Sequence, residues 1–102
     1  DKKLMRQMLE QSRVENEKDI AAARAAISGQ DWRLAQYHLH RINGTAQILG
    51  ATAIHATAEQ LENALAAGEP EAVLPQGIDE LTQQLQALSA AIIFFSSQAD
   101  YH

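Results

Sequence analysis

The chain has 102 residues, a formal net charge of −5 and no cysteine. That length supports one domain with one modest core. It excludes a disulfide framework and a thiolate metal site, and its acidity argues against nucleic-acid binding. The longest apolar run, Ala90 to Phe95, falls well short of the roughly 18–20 residues a membrane span requires. No direct membrane contact is therefore expected. The opening at Asp1, with no signal peptide, reads as one domain, 1–102, excised from a larger protein. All Lys and Arg residues lie at or before Arg41, whereas Glu59, Glu62, Glu69, Glu71, Asp79, Glu80 and Asp100 follow it. This polarity would orient an acidic partner toward the first half.

Alanine, leucine and glutamine dominate, strand alternation is absent, and Gly29, Gly50, Gly68 and the Pro70–Gly77 stretch divide the chain into helical segments. The first runs from about Lys2 to Gln11. Ser12 with Glu15 forms a possible capping box that would start a second segment ending at Ser28, with Gly29 as its stop. One bent helix over both segments is the open alternative. A third helix starts at Asp31, a good N-cap, and ends at Gly50. A fourth spans about Thr52–Ala67. A short turn is expected at Glu71–Leu74. The last helix, about Gln76–Gln98, carries Ile78, Leu81, Leu85, Leu88, Ile92 and Phe95 as a bundle seam. Short connections imply antiparallel neighbours. The expected fold is all-α, an up-down-up-down four-helix bundle with an additional short helix at the N-terminus.

On the third helix, Ile42 and Leu49 lie about 200° and 180° from His40 at ~100° per residue, so His40 faces away from the core. Arg33, Gln36, Asn43, Gly44 and Gln47 share its sector. A glycine inside a helix costs about 1 kcal/mol relative to alanine; Gly44 would leave the space one turn beyond His40 open. Histidine titrates near neutrality, with a reference pKa of about 6.5, and is a competent nucleophile. Arg33 and Arg41 bring positive charge, while Asn43 and Gln47 bring hydrogen-bond donors. These groups suit a phosphoryl dianion.

The run His40-Arg41-Ile42-Asn43-Gly44-Thr45-Ala46-Gln47-Ile48-Leu49-Gly50-Ala51 resembles the His-x-Leu-Lys-Gly-x-Ala-x-x-Leu-Gly pattern of histidine-containing phosphotransfer (HPt) domains. The flanks Gly29–Trp32 and Leu61–Glu62 agree with it. The resemblance covers nearly the whole chain and is greatest to the C-terminal module of bacterial hybrid sensor kinases. It implies that His40 accepts a phosphoryl group from a receiver-domain aspartate, through Nε2, and passes it to the aspartate of another response regulator. It also implies Mg²⁺ on the receiver, no cofactor in this domain, no autonomous kinase activity, and a monomeric, cytoplasmic domain of an inner-membrane sensor kinase. Tyr37, Ile48, Met5 and Met8 would form an apolar docking collar. The family's lysine three residues after the histidine is replaced by Asn43, and Arg41 or Arg33 is expected to compensate.

The other candidates have plainer readings. His38 falls on the core side as a hydrogen-bonded residue. His55 has no functional context, and His102 is a terminal remnant. Glu59 and Glu62, without a histidine partner, read as a solvated face. Trp32 reads as packing at the bundle end, and Met5 and Met8 also read as core positions. No histidine pair has the i, i+4 spacing of a helical metal site. The competing reading is a helical interaction or dimerisation module in which His40 is incidental.

Overall fold

The computed structural model describes residues 1–99. It contains four helices, α1 (Lys2–Ser28), α2 (Trp32–Leu49), α3 (Thr52–Ala66) and α4 (Gln76–Ala99), with a short 3₁₀ turn at Pro70–Ala72 between α3 and α4. Successive helices pack on one another and α4 closes back on α1, giving the up-down-up-down four-helix bundle. The additional N-terminal helix is not a separate element. Residues 2–28 form one helix, because Ser12 lies within it and its cap is Asp1, whose carboxylate accepts from the Lys3 N–H at 2.9 Å.

Local chemistry fixes the ends of the other helices. Asp31 caps α2 by accepting from the Leu34 N–H at 3.1 Å. Gly50, at φ 70°, ends it: the Ala51 N–H bonds to the Ala46 carbonyl and the Gly50 N–H to that of Gln47. This is a Schellman motif, and the left-handed residue it needs is glycine. At the end of α1 the same geometry falls on Gln30, at φ 57°, rather than on Gly29.

The core is aliphatic. Leu39, Ile42, Leu61 and Leu81 are its largest fully buried side chains, and Ala23, Ala35 and Ala58 let the helix backbones approach. The expected α4 seam packs inward, with Leu88 and Phe95 partly exposed. Trp32 packs against the core. One contact is tight: a Cβ added to Gly77 would sit 2.7 Å from Leu61 Cδ2. Gly77→Ala should therefore overpack the α3–α4 contact and lower stability by about 1–2 kcal/mol despite alanine's better helix propensity. Urea denaturation measures this, and unchanged or greater stability would refute it.

The bundle measures 50 × 22 × 19 Å. Its helices are unequal, with 27 residues in α1 and 15 in α3. At ~1.5 Å per residue, α1 outruns the α2–α3 hairpin by a wide margin. Leu4, Met5 and Met8 are exposed as a result, so the core reading of both methionines does not hold. No helix among the described residues is long and apolar enough to cross a membrane.

Candidate functional site

His40 projects from the middle of α2 with 79% of its side chain exposed. Its Nδ1 lies 3.1 Å from Glu62 Oε2 on α3. An ionised carboxylate only accepts, so the ring donates from Nδ1, and in the neutral ring that leaves the lone pair on Nε2. Glu62 therefore has the histidine partner that its own helix does not supply, and it is not a freely solvated carboxylate.

Asn43 is turned inward and only 9% exposed. Its Nδ2 donates to Glu62 Oε1 at 3.0 Å, and its Oδ1 accepts from His55 Nδ1. The amide that was expected to face a phosphoryl group is thus committed to Glu62, and His55 gains the context it lacked in the sequence. His55 Nε2 in turn lies 3.7 Å from Glu59 Oε2.

Arg41 points the other way. Its Nε donates to Asp19 of α1 at 3.0 Å, and its Nη2 donates to Glu15 at 3.2 Å. The hydrogen bond to Asp19, reinforced by that carboxylate's charge, raises the Arg41 pKa above the usual guanidinium value. Asp19 is buried and also accepts from His38 Nδ1 at 3.0 Å. This satisfied pair of donors explains how a carboxylate is accommodated there. Arg41 is consequently an α1–α2 tie, engaged on the side of α2 away from Glu62. Arg33 is exposed two turns before His40, about 10 Å along the axis. Gln36 is half-buried and Gln47 exposed, one turn before and two turns after.

Gly44 lies beside His40, and a Cβ added there would meet nothing within 4 Å. Internal packing does not require this glycine. On the α1 side of the His40–Gly44 line, Leu34, Tyr37 and Ile48 form an exposed apolar stripe. Tyr37 is held edge-on to His38 and beneath Arg41. Met5 and Met8 are exposed on α1. In the register set by Arg41 with Glu15 and Asp19, Met8 lies opposite the C-terminal end of α2, near the level of Ile48 and about 15 Å along the bundle from His40. His102 lies outside the described residues.

A solvent-facing imidazole, a carboxylate behind it and a gap beside it lie on an open surface rather than in an enclosed pocket. The family model described as Hpt domain matches residues 7–91. The chain belongs to the Hpt domain family. The four-helix bundle is that family's fold, and the family's general role is histidine phosphotransfer in phosphorelays, in contact with response-regulator receiver domains. No curated protein and no solved structure matches this Hpt domain.

Proposed function

We propose that His40 is the phosphoacceptor of this Hpt domain. It takes the phosphoryl group from the aspartyl phosphate of a receiver within the same hybrid sensor kinase and delivers it to the receiver of a downstream regulator. The observation that carries this reading is the Nδ1 contact with Glu62 on a mostly exposed ring: with a proton held at Nδ1, the neutral ring offers its Nε2 lone pair to solvent. In transfer, the Nε2 lone pair forms the N–P bond as the acyl phosphate P–O bond breaks, and the carboxylate stays on the receiver. No proton has to leave the ring. The phosphorylated ring keeps its Nδ1–H and becomes cationic, and Glu62 faces that charge. The receiver supplies the Mg²⁺ and the acidic pocket, and Tyr37, Ile48 and Leu34 offer it an apolar contact beside His40. The parent protein on this reading is an inner-membrane sensor kinase, with this domain on its cytoplasmic side.

Incubation with a phosphorylated receiver should move label onto the chain in an acid-labile, alkali-stable form. Absence of label would favour a helical interaction module instead. Glu62→Ala removes the acceptor at Nδ1 and should slow transfer about tenfold or more, with the fold unchanged. Rapid-quench transfer kinetics measure this, and a wild-type rate would show that Glu62 does not act on His40.

A further inference from the structure

We propose that His55 is a positioning residue for the phosphoacceptor, acting through the amide of Asn43. This rests on the reading of His40 as the nucleophile.

The argument is one of hydrogen-bond polarity. The chain of contacts runs His55 Nδ1, Asn43 Oδ1, Asn43 Nδ2, Glu62 Oε1, Glu62 Oε2, His40 Nδ1. Glu62 can only accept, so it needs donors from both sides. His40 donates correctly only as its Nδ1–H tautomer. Asn43 donates correctly only in one of its two amide orientations, because a flip would set its oxygen against the carboxylate. The two orientations are nearly identical in shape, so packing alone does not choose between them. The Glu62 carboxylate disfavours the flip from one side, and whatever faces the far side of the amide reinforces or opposes that choice. That group is His55, which reinforces it when its ring is protonated at Nδ1. Asn43 is largely buried, which leaves little room for water to do the same work.

His55 thus orients Asn43, Asn43 holds Glu62, and Glu62 selects the tautomer that leaves Nε2 of His40 free. The arrangement also accounts for asparagine where the family has lysine. An ammonium carries only donors and needs nothing to orient it. An amide has a wrong way round, and this chain supplies a second histidine that excludes it.

The test reads the tautomer directly. Long-range ¹H–¹⁵N spectra of the unphosphorylated wild-type chain should show both His40 and His55 protonated at Nδ1 when neutral. In His55→Leu, part of the His40 signal should move to the Nε2–H form, and transfer from a phosphorylated receiver should slow about three- to tenfold. His55→Gln, whose amide N–H can also donate to Asn43, should restore both. Asn43→Lys should make the chain indifferent to His55→Leu, which a merely structural role for His55 would not predict. A wild-type His40 protonated at Nε2 would overturn the proposal. So would a His55→Leu variant, folded by circular dichroism, with unaltered His40 tautomer and rate. If His55→Leu does not fold, the wild-type spectrum and the Asn43→Lys, His55→Leu pair still decide. Tautomer shifts as described, with no label reaching His40, would instead refute the phosphoacceptor reading and leave the relay standing.

Discussion

His40→Gln should abolish phosphoryl acceptance while leaving the bundle as stable as the wild type. The side chain is mostly exposed and its one hydrogen bond is to Glu62 Oε2, which a glutamine amide can also donate to. Glutamine is a good helix former, so the change in stability should stay within about 0.5 kcal/mol, as for most surface substitutions. The chemistry does not survive, because an amide nitrogen has no nucleophilic lone pair. Transfer from a radiolabelled phosphorylated receiver, followed with thermal denaturation of the same samples, separates the two effects. The other described histidines make poor substitutes. The His38 and His55 side chains are only 19% and 30% exposed, against 79% for His40. Acid-labile label retained by His40→Gln would therefore sink the assignment.

Gly44 gives the second large effect, with opposite consequences for stability and transfer. Nothing lies within 4 Å of a Cβ built there, so Gly44→Ala fits without rearrangement and should gain about 1 kcal/mol of helix propensity. That corresponds to a rise of roughly 4–8 °C in Tm for a domain of this size. Gly44→Leu should also fold, yet its side chain would occupy the approach to His40. Transfer requires the two reacting atoms to come within bonding reach, and an ångström of misplacement can cost about 100-fold. We expect a loss of at least that order for Gly44→Leu, read by rapid-quench kinetics, with the melting temperature of each variant recorded alongside. Normal transfer in a folded Gly44→Leu chain would remove the access argument. Gly77 provides the contrast: its missing Cβ makes room for Leu61, so its substitution should lower stability instead. One glycine serves the core, and the other meets no need of internal packing.

The sequence was legible wherever the controlling physics is local. Helical periodicity placed Ile42 and Leu49 inward and His40 outward, and the structure buries Ile42, leaves Leu49 half-buried and exposes His40. Asp31 and Gly50 bounded α2 because capping and the left-handed turn depend on a few neighbouring residues. The sequence leaves the N-terminal segment open between one bent helix and two. A capping box at Ser12 competes with continued helix, and the continuous α1, packed on α2 and α4, prevails.

What the sequence by itself determined is therefore the set of helices, their buried faces, the outward histidine and the glycine that clears its flank. Each follows from a rotation of about 100° per residue along one segment. Only the tertiary structure decided what surrounds that histidine. Glu62 reaches it from another helix, His55 of that helix meets Asn43, and Arg41 is drawn to Asp19 on a third. A helical wheel gives the direction of each side chain on its own helix but not which helix lies in that direction. Packing α3 on one side of α2 and α1 on the other turned Asn43 into a clamp on Glu62 and Arg41 into an ion-pair tie.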